Sequence, residues 1–179
     1  VSAPTYAIGD VVWFDDDRDG KQDFDGENPE EPVKGVTVTL LDENGDPVKG
    51  VKPVVTGEDG KYFFDGLPEG KYKVKFELSP EDAKKYTFTT QEKDGVDGKE
   101  DSNAKPTTGI TKEIGLGPNN QELITDPAKY PGLENMDATE GIDPTWDAGI
   151  VLKSYAVGDI AWIDTDRDGR QDFEGDKPE

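Results

Sequence analysis

The stretch TGEDGKYFFDGLPEGKYKVKFEL, residues 56–78, predicts two antiparallel β-strands joined by a tight turn. Its second half alternates apolar with charged side chains, and the apolar face is formed by Tyr72, Val74, Phe76 and Leu78. Successive side chains of a strand point to opposite faces, so this alternation predicts a sheet with one buried and one solvated face. The glycines and the proline between the two halves supply the turn. The stretch therefore predicts an all-β fold.

Shorter runs on either side predict the remaining elements. Strands are predicted at residues 8–14, 33–42, 110–114 and 146–152, from apolar runs or from alternation. Residues 91–145 are otherwise rich in Gly, Asn, Asp, Pro and Thr, which predicts long loops. Ser79 followed by Pro80 is a helix-start signal and predicts a single helical turn.

The composition fits a folded domain with a small core. Of the 179 residues, 31% are hydrophobic and the mean hydropathy is −0.83, both low for a globular protein. Three Trp, six Tyr and seven Phe are nevertheless too many aromatic residues for a disordered acidic chain. No apolar run approaches the roughly 18–20 residues of a membrane span. We expect a β-sandwich whose loops carry most of the charge.

The charge of the chain excludes several classes of function. The formal net charge is −21, from 41 acidic and 20 basic residues, so nucleic acids and anionic membranes are poor partners and a cation is the natural one. Histidine is absent, which excludes Ser–His and Cys–His catalysis. Cysteine is absent as well, which excludes disulfides, thiolate metal sites and a cysteine nucleophile, and disfavours zinc.

The beginning of the sequence recurs near its end. Residues 6–30 align without gaps to residues 155–179, and 16 of the 25 positions are identical. The two copies start 149 positions apart, which predicts a tandem repeat with one complete unit at residues 5–153 and the start of a second at residues 154–179. Because the chain stops inside the second copy, we expect it to be part of a longer protein.

Each copy contains acids with the spacing of a calcium-binding loop. In the first copy, Asp15, Asp17 and Asp19 occupy positions one, three and five of the EF-hand pattern. Gly20 stands at position six, where the loop turns sharply. Position seven contributes a backbone carbonyl and position nine a side chain, and these two ligands are assigned to Lys21 and Asp23.

The alternative interpretation of this run is a solvated acidic turn. Residues 15–31 hold nine carboxylates and two basic residues, and such charge runs are usually solvated. The spacing, the glycine at the turn position and the faithful repetition favour a metal site. Calcium takes six to eight oxygen ligands, whereas magnesium prefers few carboxylates and retained waters, so calcium is the predicted ion.

The pattern departs from an EF-hand at position twelve, where a bidentate glutamate is expected. Gly26 stands there, and the acid follows one residue later as Glu27. We infer a loop longer by one residue that Glu27 closes. A strand, not a helix, enters the loop, so the helix pair of an EF-hand is not expected. In the second copy the equivalent ligands are Asp164, Asp166, Asp168, Arg170 through its carbonyl, Asp172 and Asp176.

Two further acidic segments are weaker candidates for a second calcium ion. They contribute Asp94, Asp97, Glu100 and Asp101, and, later in the chain, Asp143 and Asp147. Acidic loops of this composition are common without a metal, and no spacing template supports these two segments. A second ion is therefore left open.

The order of these motifs resembles the B repeats of Sdr-type (serine–aspartate repeat) surface adhesins. The resemblance rests on IGDVVWFDDDRDGKQD, PVKGVTVTLLDENGD, TGEDGKYFFDGLPEGKYKVKF and NMDATEGIDPTWDAGI, followed by a fresh YAVGDIAW. It implies a Cna-B/prealbumin-like antiparallel β-sandwich with long acidic loops. It also implies a calcium-stabilised stalk module of an extracellular, wall-anchored Gram-positive protein, with loop ligands Asp15, Asp17, Asp19, Lys21 and Asp23.

These observations together predict a calcium-binding spacer domain whose ion rigidifies a tandem array. Since the loop opens each unit, we expect it to lie near the junction with the preceding unit. The predicted partners are calcium and neighbouring repeats; the alternative is a module that binds a host surface protein through its acidic face or its long loops. An enzyme such as a carboxylate-pair glycosidase is not predicted, because the acids lie in loops and no nucleophile motif is present.

Overall fold

In the part of the chain that the structure describes, nine strands form two sheets that enclose the main core. The computed structural model describes residues 2–25, 27–92 and 100–158. The strands are β1 (Tyr6–Phe14), β2 (Thr37–Asp42), β3 (Val54–Val55), β4 (Lys61–Leu67), β5 (Gly70–Glu77), β6 (Tyr86–Phe88), β7 (Ile114–Leu116), β8 (Ile142–Asp143) and β9 (Ala148–Leu152). A four-residue helix, α1 (Asp82–Lys85), and a short 3-10 helix, Leu133–Asn135, complete the regular structure of the described residues.

The first sheet has the order β4-β1-β9-β6, with β8 also paired to β1, and the second has the order β3-β2-β5-β7. All pairs of the second sheet are antiparallel. In the first sheet β1 runs antiparallel to β4 but parallel to β8 and β9. The predicted all-β sandwich is confirmed, with this parallel pairing as an exception to its antiparallel character.

The core follows the alternation in the sequence. In β5 the side chains of Tyr72, Val74 and Phe76 are buried, and they face residues of the first sheet such as Ile8 and Val12 in one cluster. The predicted inward residue Leu78 follows the end of β5 and packs half-buried against this cluster. Burial of each aliphatic or aromatic side chain of this kind stabilises the fold by about 1.5–3 kcal/mol, so this cluster is a main source of the stability of the sandwich.

Two predicted elements differ from those in the structure. The strand predicted at residues 110–114 starts at Ile114 instead, and Ile110 makes only an isolated bridge to Lys75. The helix begins at Asp82, but the Ser79 hydroxyl accepts a hydrogen bond from the Asp82 N–H at 3.1 Å, as expected of a capping residue. The sequence signals therefore predicted both elements, but the strand starts four residues later and the helix two residues later than predicted.

The parallel pairing determines what lies at the ends of the first sheet. Val12 is paired with Ala148, and Phe14 with Ile150, so β1 and β9 finish at the same edge. The acidic loop leaves β1 at this edge, and the link toward the second copy leaves β9 there. The loop and the link are therefore neighbours in space: Arg18 of the loop contacts Ser154 of the link, although the two residues are 136 positions apart in the sequence.

Several predictions concern residues that the structure does not describe. The loop ligands of the second copy, from Asp164 to Asp176, lie outside the described residues, as do Asp94 and Asp97. The division into a unit at residues 5–153 and a second at 154–179 stays a prediction. Across the described part of the chain, no helix is long and apolar enough to cross a membrane.

Candidate metal centre

The acidic loop begins directly after the last residue of a buried strand. β1 ends at Phe14, and Asp15 follows with only 1% of its surface exposed. The Asp15 N–H donates to the Ile150 carbonyl of β9 at 2.9 Å, which extends the parallel pairing by one residue. The backbone of the first acid of the loop is therefore held by the sheet.

Three aspartates converge in the loop. Asp15, Asp17 and Asp19 each offer a carboxylate oxygen, and these oxygens all lie within 4.8 Å of one another. Calcium lies about 2.3–2.6 Å from its oxygen ligands, so two ligands of one ion are separated by at most about 5 Å. The residues present therefore fit a divalent cation, and the oxygen donor set suits a hard ion such as calcium.

The backbone of the loop folds around these carboxylates. Asp15 accepts hydrogen bonds from the N–H groups of Asp19 and Gly20, both at 3.0 Å. Asp19 in turn accepts from the Lys21 N–H at 2.7 Å. Gly20 has a positive φ of 76°, which a glycine adopts without steric cost, as the loop pattern predicts. Arg18 has a φ of 62°, a conformation uncommon for a side chain of this size.

Glu30 ties the two limbs of the loop together, although the sequence did not single it out. It is 8% exposed, and its carboxylate accepts from the Asp16 N–H at 3.2 Å and from the Asp23 N–H at 2.9 Å. Its own N–H donates to the Asp23 carbonyl at 2.7 Å. The sequence signal that could have indicated Glu30 is its recurrence, because Pro29 and Glu30 recur as the last two residues of the second copy.

The environment of Glu30 opposes its ionisation. Burial and, after it, the nearby carboxylates of Asp15 and Asp17 raise its pKa to about 7, against the opposing effect of the two backbone donors. This carboxylate and the three aspartates together place a concentration of negative charge at one end of the sheet. A divalent cation at that end would offset this charge.

The carboxylates of the other two predicted acids of the first copy are not part of the group of three aspartates. Glu27 is exposed and is not part of their group. Asp23 is half-buried, and its carboxylate pairs with the Lys21 ammonium at 3.0 Å. The structure thus brings together three of the predicted ligands and places Glu30, instead of Glu27, across the base of the loop.

One of the weaker candidate segments packs beside the loop. Lys21 forms an antiparallel bridge with Asp101, and the Gln22 N–H donates to the Glu100 carbonyl at 2.7 Å. Asp101 is 5% exposed, and burial raises its pKa. Residues 100–103 therefore form a second wall of the loop region, but their carboxylates do not join the group of three aspartates.

The later candidates serve the fold. Asp143 is buried and accepts from the Trp146 indole N–H at 3.0 Å and from the Asn120 amide at 2.8 Å. Asp147 is fully buried; one of its oxygens accepts from the Val11 N–H at 3.0 Å, and the other has no hydrogen-bond partner among the described residues. Burial and the nearby Asp10 raise the pKa of Asp147 well above its ordinary value.

With the site described, the family can be assigned from sequence similarity. The family model of the SdrD B-like domain matches residues 6–128, which includes the acidic loop and β1 to β7. The chain belongs to the SdrD B-like domain family. The resemblance to Sdr-type B repeats is thereby confirmed.

Long proteins contain segments similar to this SdrD B-like domain. Serine-aspartate repeat-containing protein D of Staphylococcus aureus (strain Newman) is 37% identical over 169 residues, which cover 94% of the chain and 10% of that protein. Serine-aspartate repeat-containing protein C of Staphylococcus aureus (strain N315) is 35% identical over 167 residues, and Colossin-A of Dictyostelium discoideum 36% over 164 residues. The domain thus spans about a tenth of the length of protein D, 14% of protein C and 1% of Colossin-A.

Solved structures show a more distant similarity. The major pilin subunit BcpA of Bacillus cereus is 20% identical, with a TM-score of 0.38 over 66% of this chain and 27% of that one. The group B streptococcus pilus 2b backbone protein is 13% identical, with a TM-score of 0.41 over 83% of this chain and 42% of that one.

Contacts distant in sequence hold the loop of this SdrD B-like domain. The Thr89 hydroxyl, next to β6, donates to the Asp15 carboxylate, and the Arg18 guanidinium donates to the Leu152 carbonyl at the end of β9 at 2.6 Å. No sequence pattern indicated either contact. They place the loop beside Leu152 and Ser154, where the chain leads toward the second copy, and its position relative to a preceding unit stays a prediction.

Proposed function

We propose that this SdrD B-like domain is a calcium-binding spacer in the stalk of an extracellular, wall-anchored Gram-positive adhesin, where the ion rigidifies a tandem array. The observation that carries the proposal is the convergence of the Asp15, Asp17 and Asp19 oxygens within 4.8 Å at the end of β1. Membership of a family with relatives many times longer than the domain supports its role as one unit of a long chain. The proposed partners are calcium and the neighbouring units.

The proposed mechanism is electrostatic. Without a cation, the buried Asp15 and Glu30 and their acidic neighbours repel one another, and this repulsion lowers the stability of the loop. A bound calcium ion supplies two positive charges and accepts several carboxylate oxygens at once. Because the three aspartates are assembled only in the folded domain, the free energy of binding adds to the free energy of folding.

The backbone of the loop supports the proposed ion binding. The carboxylates of Asp15 and Asp19 are engaged by backbone N–H groups of their own loop. These hydrogen bonds position the oxygens for an ion in the middle of the loop.

Replacing Asp17 tests this function, with Asp16 as the matched control. Both side chains are exposed and adjacent, and only Asp17 belongs to the converging group. Asp17→Asn removes one ligand charge but keeps an oxygen that can accept the Asp19 N–H, so the fold is retained. Calcium affinity measured by titration calorimetry should fall about tenfold or more for Asp17→Asn, and much less for Asp16→Asn.

Thermal unfolding provides the second readout. Calcium at 100 times its dissociation constant adds about 2.7 kcal/mol, which corresponds to a rise in melting temperature of roughly 5–10 °C over the protein in chelator. Asp17→Asn should reduce this rise and Asp16→Asn should leave it nearly intact. Equal melting temperatures of the unmodified protein in calcium and in chelator would refute the proposed function.

A further inference from the structure

The link between two units consists of only two residues. β9 ends at Leu152, and the second copy of the sequence begins at Tyr155, the equivalent of Tyr6 at the start of β1. Two residues of extended chain span about 7 Å. Consecutive folded units would therefore sit almost in contact at this edge of the first sheet.

The side chains after the link are exposed where their counterparts are buried. Tyr6 and Ile8 are 3% and 0% exposed in the first unit, whereas their equivalents Tyr155 and Val157 are 83% and 102% exposed. In a chain that continues into a second folded unit, these apolar side chains would enter the core of that unit, as Tyr6 and Ile8 do here. The start of the following unit is thus the natural occupant of this edge.

Arg18 of the acidic loop donates hydrogen bonds on both sides of Lys153, the first residue of the link. Its guanidinium donates to the Leu152 carbonyl at 2.6 Å and to the Ser154 hydroxyl at 3.5 Å. The planar fork of an arginine suits two acceptors at once, which a lysine cannot match. Because Arg18 lies between Asp17 and Asp19, its backbone position depends on how these two carboxylates are arranged.

Ser154 is the first polar anchor of the second copy. Its equivalent in the first unit is Thr5, whose hydroxyl donates to the Asp137 carboxylate at 2.8 Å and accepts from the Thr139 N–H at 3.0 Å. A hydroxyl donates one hydrogen bond and accepts two. A serine at this position can therefore anchor its own unit and still accept the bond from Arg18 of the unit before it.

We propose that Arg18 transmits ion binding in the acidic loop to the start of the following unit. An ion held by Asp17 and Asp19 fixes the backbone of Arg18, and the guanidinium then orders the two-residue link through Leu152 and Ser154. The inference rests on the proposed calcium binding and names the interface on which the ion acts. The second copy carries Arg167 at the equivalent position, so the same contact can recur along an array.

Spin labels across the link test this role. The chain has no cysteine, so Lys49→Cys and Val157→Cys introduce two unique labelling sites, both exposed, on the first unit and beyond the link. Distances between the labels are measured by pulsed electron paramagnetic resonance in calcium and in chelator. The test variant is Arg18→Gln, and Lys52→Gln is the charge-matched control at an exposed site. Titration calorimetry follows calcium binding to each variant.

The expected result is a narrow distance distribution in calcium and a broad one in chelator for the unmodified link and for Lys52→Gln. Arg18→Gln should still bind calcium, but its distance distribution should remain broad. The ratio of ordered to open link should fall by a factor of about 5. This is at the low end of coupling between sites, because both hydrogen bonds of Arg18 are exposed. The role of Arg18 is refuted if calcium narrows the distance distribution of Arg18→Gln as much as that of the control. It is also refuted if calcium binds to the unmodified protein without narrowing its distance distribution. Absence of calcium binding to the unmodified chain would instead refute the proposed function.

Discussion

At the scale of single residues, the loop depends on acids in different environments. Asp15 is buried at the end of β1, Asp17 is exposed, and Glu30 lies beneath the loop with two backbone donors. Backbone donors stabilise a carboxylate, whereas burial and neighbouring acids destabilise its charged form. For Glu30 burial has the largest effect on the pKa, so its charged form is destabilised when no cation is bound to the loop.

The raised pKa of Glu30 predicts how stability depends on pH in chelator. The folded protein holds this proton up to about pH 7, whereas the ordinary value is 4.5, so the folded state binds more protons between these two values. The free energy of unfolding should therefore fall as the pH rises from 5 to 7, about the window set by those two pKa values. Urea unfolding at a series of pH values measures this slope.

Two comparisons make the assignment to Glu30 specific. Glu30→Gln cannot ionise, so it should flatten the slope even though its amide loses one of the two backbone bonds. Calcium should flatten it as well, because the ion stabilises the carboxylate form of the loop. A slope in chelator that is unchanged by Glu30→Gln would assign the pH dependence to other groups, such as Asp10, whose pKa burial raises to about 6.

At the scale of the elements, the pairing of β1 with β9 positions the loop. Gly149 of β9 is paired with Trp13 of β1 and lies beneath Thr89. A Cβ atom at this glycine would lie 2.7 Å from the Thr89 methyl carbon and 2.8 Å from the Trp13 ring. The close approach of these groups keeps Thr89 near Asp15, whose carboxylate its hydroxyl contacts.

Gly149→Ala should therefore destabilise the domain. Overpacking a close-packed interior typically costs about 1–3 kcal/mol, and neither neighbour is the free end of a flexible side chain. Gly115→Ala in β7 is the matched control, since a Cβ there has no atom within 4 Å. The control should change the free energy of unfolding by less than about 0.5 kcal/mol. Chemical denaturation of both variants checks this, and equal stabilities would contradict the close packing of β1 on β9.

At the scale of the whole molecule, the net charge of −21 acts together with the loop. Like charges distributed over a small domain repel one another and lower its stability, and salt screens the exposed ones. The acidic loop concentrates part of this charge at the edge where the chain leads toward the second copy. Cations should therefore affect both the stability of one unit and the approach of two.

Salt should stabilise the chelated protein more than the calcium-loaded one. Raising NaCl from about 0.01 to 0.15 M shortens the screening length from roughly 30 to 8 Å, which weakens repulsion between exposed acids. The melting temperature in chelator should rise over this range, and the rise should be smaller in calcium because the loop charge is already offset. Choline chloride at equal concentration should act as NaCl does; an effect of NaCl alone would indicate specific sodium binding.

The strands and the three converging aspartates could be predicted because both depend on local spacing. Alternation with a period of two places Val74 and Phe76 on one face whatever the strand pairs with. Asp15, Asp17 and Asp19 are alternate residues of one short loop, so the covalent chain keeps their carboxylates close. Glu30 closes the loop through backbone N–H groups, which no spacing of side chains indicates, so only its recurrence in the repeat distinguished it.

The sequence by itself determined the β character, the repeat and the acidic loop, since these follow from residues near one another along the chain. Only the tertiary structure decided that β9 returns parallel to β1, and hence that Thr89 and Leu152 meet the loop. These contacts join residues 74 and 134 positions apart, and which distant segments meet depends on the packing of the whole core. For that reason the loop lies beside Leu152 and Ser154, where the chain leads toward the second copy, although it stands near the start of the domain.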